Sequence, residues 1–361
     1  MSDNLTKLKK LRHEIDRVDD SMLELLNKRA KLVIDIGTIK KENNHAIHVP
    51  EREREIYQRL LNNNPGPFPN TAVKNVFREI MSTSLSLEKP LRAAFLGPKA
   101  TFTHMACLQY FGKSSELIPV KEIADVFDEV ERDRVDYGVV PIENTTEGVV
   151  SHTFDMFVSS NLKISAEIML EISLSLLNRT GSILDVKKVY SHSHAIAECR
   201  EWLKNNLPNA VLVETSSTAV AAQTVVDDPD AAAIASENAA ELYDLKIVEK
   251  KIEDHLNNLT RFLVVGKTSP KKTGSDKTSI LFSVKDSPGI LFKMLKPFAE
   301  RGINLTKIES RPQKKKAWEY IFFLDMDGHI SDEKVSDALK ELETNCSFVK
   351  VLGSYPKGMA K

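Results

Sequence analysis

Apolar residues return at steps of three and four along the start of the chain: Leu5, Leu8, Leu11, Ile15, Val18, Met22, Leu25, Leu26, Leu32, Val33, Ile36 and Ile39. That spacing predicts one helix from Thr6 to Asn43 with a single greasy face, capped by Asp3 or Asn4. At 1.5 Å per residue it is roughly 55 Å long. A loop at Asn43 to Pro50 leads to a second helix from Glu51 to about Asn63, which Pro65-Gly66-Pro67 ends, and a third runs from Thr71 to about Leu87. These two are too short to cover the stripe, so the expected cover is a second chain.

At 361 residues the chain has room for two or three domains. Fifty basic residues stand against fifty-one acidic ones, for a net charge of -1, so no global field draws in nucleic acid and any anion site must be local. Cys107, Cys199 and Cys346 are far apart and form no C-x-x-C pair, which argues against a zinc site or a disulfide framework and fits a reducing cytoplasm. Met1-Ser2-Asp3-Asn4-Leu5 leads into a charged amphipathic pattern without an apolar signal core, and no apolar run reaches 18 residues, so neither export nor membrane insertion is expected.

The pattern changes at Leu87-Glu88-Lys89-Pro90-Leu91. Beyond it, Arg92 to Leu96 and Tyr137 to Ile142 read as strands, and Thr103 to Tyr110 and Ala124 to Glu131 as helices. The block from Leu91 to Gly266, ~175 residues, suits two α/β lobes around a cleft. The second lobe is expected to hold Lys163 to Leu177, Val186 to Ser191, Ile196 to Asn205, Ala210 to Glu214, Ser217 to Val226 and Ala232 to Ser236. Asn144-Thr145-Thr146-Glu147-Gly148 and Thr215-Ser216-Ser217-Thr218-Ala219 each follow a strand and can open a helix, where hydroxyls and backbone N–H groups meet a carboxylate or serve as plain N-caps. Lys267 to Lys277 reads as a linker. After it, strands at Thr278 to Val284, Asn304 to Arg311, Trp318 to Met326 and Phe348 to Ser354 alternate with helices at Pro288 to Glu300 and Asp332 to Glu343, the ferredoxin-like βαββαβ order.

One stretch gathers chemistry at a strand mouth. Asn257-Asn258-Leu259-Thr260-Arg261-Phe262-Leu263-Val264-Val265 sets a hydroxyl, a guanidinium and an aromatic ring where a β-type run begins. With Gly97-Pro98-Lys99-Ala100-Thr101-Phe102-Thr103-His104, Pro141-Ile142-Glu143-Asn144-Thr145-Thr146-Glu147-Gly148 and Ser191-His192-Ser193-His194, it resembles the signature stretches of prephenate dehydratases in their order and spacing. The resemblance implies a two-lobed α/β fold like a periplasmic binding protein. It puts Thr260 at the leaving hydroxyl, as a hydrogen-bond donor whose proton must be relayed because a neutral Thr is a poor acid. Arg261 and Phe262 would shape the pocket, and Thr101, Thr103, Asn144, Thr145, Ser191, His192 and Thr218 would contact substrate. His194 stands where many relatives have Gln, and its role stays open.

The helical part has its own set. Leu-Arg-x-x-Ile-Asp-x-x-Asp at Leu11 to Asp19, the interval from Arg29 to Lys40, and Arg52-Glu53 resemble the all-helical chorismate mutases, domain-swapped dimers as a family. The rearrangement of chorismate to prephenate uses one substrate and no nucleophile, cofactor or metal; the protein holds a dianion folded and stabilises charge on the breaking ether oxygen. By resemblance Arg29 and Arg12, the latter from the other protomer, clamp the carboxylates, and Lys40 bonds the ether oxygen. Arg52 and Glu53 assist the ring end, and Ser84 contacts a carboxylate. At the second ether-oxygen contact many relatives carry Gln; Glu88 here donates only when protonated, so the mutase rate is expected to fall as rising pH removes that proton. Val49 stands where some relatives carry an acid and is given no polar role.

Asp286-Ser287-Pro288-Gly289-Ile290-Leu291 at a strand-to-helix turn, with Glu309-Ser310-Arg311-Pro312, resembles the ACT regulatory domain, which binds phenylalanine across a domain pair. Across the whole chain the resemblance is to bifunctional P-proteins. It implies a mutase domain at 1–90, a dehydratase domain at 91–267 and an ACT domain at 277–356. Chorismate and prephenate are the implied substrates and L-phenylalanine the effector, at Ser287, Pro288, Gly289, Ile290, Leu291, Glu309, Ser310, Arg311 and Pro312. No metal, cofactor, nucleic acid or membrane is implied; a homodimer, or a tetramer of paired dimers, is. Two other readings stay open: a dehydratase preferring arogenate, and a non-catalytic amino-acid sensor with a helical dimerisation arm.

Overall fold

The structure is a computed structural model that describes residues 2–42, 49–146, 148–255, 258–285, 287–312 and 319–358. The expected loop at 43–48, and Glu147, Asn257, Asp286 and Trp318 of the motifs above, lie outside the described residues. The chain divides into two compact units, Met1–Leu91 with Phe111–Glu116, and Arg92–Tyr110 with Leu117–Lys361.

The first unit is helical. Helix α1 spans Ser2–Glu42, α2 Pro50–Asn62 and α3 Asn70–Glu88. Pro50 at the first position of α2 gives up an N–H that has no helical partner there. The apolar stripe of α1 stays open to solvent, with Leu5 at 61% and Leu25 at 66% exposure, far more than α3 can cover. The segment Phe111–Glu116 of this unit lies against α3: the Lys113 N–H donates to Glu79 and that of Ser114 to Ser82 Oγ. Gly112 makes this possible, since its φ is +76° and a Cβ there would stand 2.5 Å from Ser82 Cβ.

The second unit begins with β1 (Arg92–Leu96), α4 (Phe102–Phe111), β2 (Glu116–Val120), α5 (Ile123–Glu131), β3 (Tyr137–Asn144), β4 (Gly148–Val149), α6 (Ser151–Ser159) and β5 (Lys163–Glu171). A second lobe follows: β6 (Ser175–Asn178), β7 (Lys188–Ser191), α7 (Ser193–Glu198), α8 (Arg200–Asn206), β8 (Val211–Glu214), α9 (Thr218–Val225), β9 (Ala231–Ala235), α10 (Glu237–Tyr243) and β10 (Lys246–Glu249), with its sheet ordered β10-β6-β9-β7-β8. Strand β11 (Leu259–Gly266) then returns to the first lobe, whose sheet runs β2-β1-β3-β11-β5 with β4 on β3. The expected single element from Lys163 to Leu177 is two strands in different sheets. The break lies at the crossing, where the Ile172 N–H donates to Asn258 O, that of Leu174 to Glu253, and that of Ile252 back to Leu174 O.

The last third builds β12 (Asp276–Lys285), α11 (Ile290–Glu300), β13 (Leu305–Pro312), β14 (Glu319–Asp327), α12 (Glu333–Glu343) and β15 (Phe348–Pro356), in a sheet ordered β13-β14-β12-β15. One face packs on α11 and α12 through Phe282, Phe298, Leu324 and Leu339. The other face fuses with the first lobe: Leu281, Ile321, Phe323, Leu352 and Tyr355 share a core with Val140, Ile142, Phe154, Leu263 and Val265. Phe154 and Phe323 meet edge to face, centroids 4.6 Å apart.

Candidate active sites

A cleft of about 730 Å³ opens in the two-lobed region. Strand periodicity decides which residues of β11 see it: Thr260 and Phe262 line it, and Arg261 between them points to the opposite face. The antiparallel register sets Thr260 opposite Asn144 and Arg261 near Glu143. Asn144 therefore lies on the cleft face beside Thr260.

A directed chain of hydrogen bonds runs from there. The Thr146 N–H donates to Asn144 Oδ1 at 2.7 Å, which leaves Nδ2 as the donor of that amide. Nδ2 donates to Thr260 Oγ1 at 2.8 Å and to Asn258 Oδ1 at 2.7 Å. Asn258 in turn donates through Nδ2 to Glu198 Oε1 at 2.7 Å. Both ends of the chain are fixed, a backbone N–H at one and a carboxylate acceptor at the other. The Thr260 oxygen is held as an acceptor of the Asn144 amide on the cleft face.

Helix starts supply the rest of the lining. Thr101 and Thr103 sit at the start of α4, and Ser216, Ser217 and Thr218 at the start of α9. The free N–H groups and dipoles of both helices give two positive ends without a formal charge. Thr101 Oγ1 accepts from the His104 N–H at 3.3 Å and donates to Pro98 O at 3.0 Å, so its hydroxyl is occupied as the cap of α4. Ser217 caps α9 through the Val220 N–H at 3.1 Å. His192 and His194 line the cleft with rings 4.9 Å apart. His104 lies behind, stacked on Phe95; burial and Lys99 push its imidazole below the usual histidine range.

Three sequence expectations are corrected. Ser191 is fully buried and its Oγ donates to Ile234 O at 2.7 Å, away from the cleft. Thr145 does not line it either; its Oγ1 accepts from the Leu259 N–H and contacts Asn258 Oδ1. Arg261, expected to shape the pocket, is 3% exposed on the far side of β11. Its Nε donates to Glu167 at 2.7 Å, Nη1 to Asp325 at 2.6 Å and Nη2 to Tyr355 Oη at 3.0 Å. Lys277 also donates to Glu167, at 2.8 Å, so two cations meet two buried carboxylates. Burial alone would lower the Arg261 guanidinium, but Tyr355, Asp325 and Glu167 push it above its ordinary value. Burial alone would raise the Glu167 carboxyl, and Arg261 and Lys277 reverse that, holding it below the usual range. Glu198 and Asn258 were missed as site residues; Asn258 stood in the motif next to Thr260, whereas Glu198 read only as part of a short helix.

In the helical unit the α1–α3 seam carries two polar pairs. Arg29 Nη1 donates to Ser84 Oγ, and burial lowers the Arg29 guanidinium. Lys40 Nζ stands 3.2 Å from Glu88 Oε2, whose side chain is 4% exposed. A Cβ at Gly37 would come 2.9 Å from Glu88 Cγ, so the bare backbone is what lets Glu88 lie against α1. Arg12 is exposed, and the seventeen steps from it to Arg29 place it about 25 Å along the axis. Arg52 pairs with Glu55 in solvent at 2.7 Å, and Glu53 is half-buried.

In the last sheet, Ser287, Pro288 and Gly289 are exposed at the start of α11, with Gly289 at φ +76°; Leu291 is exposed and Ile290 half-buried. The quartet on β13 is split by strand alternation: Glu309 and Arg311 are half-buried on one face, and Ser310 and Pro312 exposed on the other. Arg311 Nη1 donates to Ser151 O at 2.6 Å and lies 3.6 Å from Asp155.

Three family models match in order: chorismate mutase type II over residues 11–89, prephenate dehydratase over 93–270 and ACT domain over 278–344. A bifunctional chorismate mutase/prephenate dehydratase of Aquifex aeolicus is 55% identical over 98% of this chain and 99% of its own. A structure of the prephenate dehydratase from Arthrobacter aurescens in complex with L-Phe is 36% identical with a TM-score of 0.70, covering 74% of this chain and 90% of that one. A protein described as a novel type of quorum-quenching acylase shares the fold at 28% identity and a TM-score of 0.69, over 74% of this chain and 98% of its own. Fold alone therefore does not separate these chemistries. The ordered domains and the match along nearly the full length do: this chain belongs to the family of bifunctional chorismate mutase/prephenate dehydratases.

Proposed function

We propose that the helical unit rearranges chorismate to prephenate and that the cleft converts prephenate to phenylpyruvate, with L-phenylalanine binding the ACT domain and suppressing the second step. The observation that supports this reading is the Asn144 amide donating to Thr260 Oγ1 at 2.8 Å on the cleft face, which suits the Thr260 hydroxyl to donate to substrate. In the second step the bond to the ring carboxylate breaks and releases CO2. Its electron pair completes the aromatic ring, and the ring C–O bond breaks. The departing oxygen takes a proton and leaves as water. Thr260 donates to that oxygen as charge develops on it, and solvent restores the proton through the open cleft. The starts of α4 and α9 are placed to hold carboxylates, and the apolar lining of Leu96, Phe262 and Ile172 suits the ring.

In the mutase site Arg29 with Ser84 takes one carboxylate, Lys40 and Glu88 the ether oxygen, and Arg12 arrives from a second chain. The uncovered face of α1 supports a homodimer, which ACT sheets can pair further. Domain limits of 1–90, 91–267 and 277–356 and a cytoplasmic location complete the reading; among the described residues no helix is long and apolar enough to cross a membrane. Thr260→Val tests the donor. Dehydratase kcat is expected to drop on the order of 10²–10³-fold, as when an aimed donor is removed. Thr260→Ser should retain most activity, and mutase activity of both should be unchanged. A Thr260→Val enzyme with wild-type turnover of prephenate removes Thr260 from the chemistry.

A further inference from the structure

Four cleft residues have a chain neighbour gripped by the ACT domain, at three points. Thr260 and Phe262 flank Arg261, which is held by Asp325 of β14 and Tyr355 of β15. Asn144 follows Glu143, whose Oε2 accepts from Lys307 Nζ of β13 and whose Oε1 lies 3.5 Å from Arg261 Nη1. Val150, also in the cleft lining, precedes Ser151, whose carbonyl accepts from Arg311 of the same strand.

The three grips differ in kind. The Arg261 cluster is buried, charge-balanced and embedded in a shared core, so it moves only with the whole interface. The β13 grips lie at the rim: Glu143 and Arg311 are each about a third exposed. Strand alternation puts Lys307, Glu309 and Arg311 on one face, toward the dehydratase, at the edge of the ACT sheet. The same strand therefore carries the candidate effector residues and the two cations that hold the cleft wall.

We propose that Lys307 and Arg311 are positioning residues of the dehydratase, and that β13 transmits effector occupancy by moving Glu143 and Ser151, which carry Asn144 and Val150. Asn144 is the donor that sets the polarity of Thr260. A small shift of β13 that turns this amide costs the aimed proton, and the 3.5 Å contact of Arg261 Nη1 with Glu143 Oε1 makes Glu143 the point where the rim meets the buried pivot. This rests on the effector reading of β13 and the donor reading of Thr260.

The test uses the full chain, wild type beside Lys307→Met, Glu143→Gln and the double variant. Dehydratase kcat and KM are measured with and without saturating L-phenylalanine, phenylalanine binding by titration calorimetry, and mutase rate as the control for folding. Each single variant is expected to lose inhibition by about fivefold or more, the lower end of ordinary coupling between sites. Phenylalanine should still bind each with near wild-type affinity. The double variant should lose no more than the worse single, because one contact is being removed twice. Wild-type inhibition in either single variant, inhibition lost only because phenylalanine no longer binds, or losses that multiply in the double overturns the proposal. A wild-type chain that turns over prephenate and ignores phenylalanine overturns the effector reading itself, before any variant is compared.

Discussion

Replacing Arg261 by Met tests what the middle residue of Thr260-Arg261-Phe262 does. Methionine fills much of the same space without charge or donors. The loss falls mainly on Asp325, which is 0% exposed and among the described residues keeps the Ser279 hydroxyl, whereas Glu167 keeps Lys277 and the Gly358 N–H. Breaking a buried pair from one side costs about 3–5 kcal/mol, which for a unit of this size lowers its melting temperature on the order of 10 °C. Dehydratase kcat should fall too, since Thr260 and Phe262 lose the anchor between them, whereas mutase rate should not. Removing the orphaned charge as well, in Arg261→Met with Asp325→Asn, should recover most of the stability. Thermal unfolding of the three proteins, followed with prephenate kinetics, decides it. A substrate clamp predicts the reverse: an unchanged melting temperature, a large rise in KM, and no recovery from the second substitution. That result would refute the assignment of Arg261 to the domain interface.

Three further outcomes follow from the same geometry. Asn258→Leu removes the link between Glu198 and Asn144 and should lower dehydratase kcat on the order of 10²-fold, the usual cost of misaiming a reacting group, with KM little changed; a proportionate rise in KM would make Asn258 a substrate ligand instead. Glu88→Gln, which keeps the side chain's shape and always carries a donor, should turn over chorismate at least as fast as the wild type; a large loss of mutase rate would show that the Glu88 carboxylate itself is needed. Glu167 sits below its ordinary range when folded, so the stability it contributes is present above the unfolded glutamate pKa of about 4.3 and is lost as pH falls through and below it. Acid unfolding followed by circular dichroism should therefore shift to higher pH in Lys277→Met, and an unshifted transition would mean that Lys277 does not hold the carboxyl down.

Much of this was legible in the chain itself, because helices and short strands follow local periodicity: β1 runs from Arg92 to Leu96 as expected, and the three N-terminal helices end within a residue or two of where their patterns stop. What failed was what depends on partners distant in sequence. The apolar run from Lys163 to Leu177 gave no sign of changing sheets, since both halves are buried and only contacts with Glu253 and Asn258 mark the crossing. Alternation required Thr260 and Arg261 to face opposite ways, but not which one faced the cleft; that was settled by Asp325, 64 residues on. Ser191 was expected as a substrate contact by resemblance alone, and nothing in the local sequence tells that the Ile234 carbonyl has taken its proton. Glu198 carries no local mark, and it joins the hydrogen-bond chain through Asn258.

The central claim, two successive reactions on one chain with end-product control, is tested most directly by phenylpyruvate formation from the purified protein. Chorismate and prephenate are supplied separately, each with and without L-phenylalanine. Product from both substrates, suppressed by phenylalanine, is the expected result. Product from prephenate alone would reduce the helical unit to a dimerisation arm, and no product from either would contradict the account and leave a sensor.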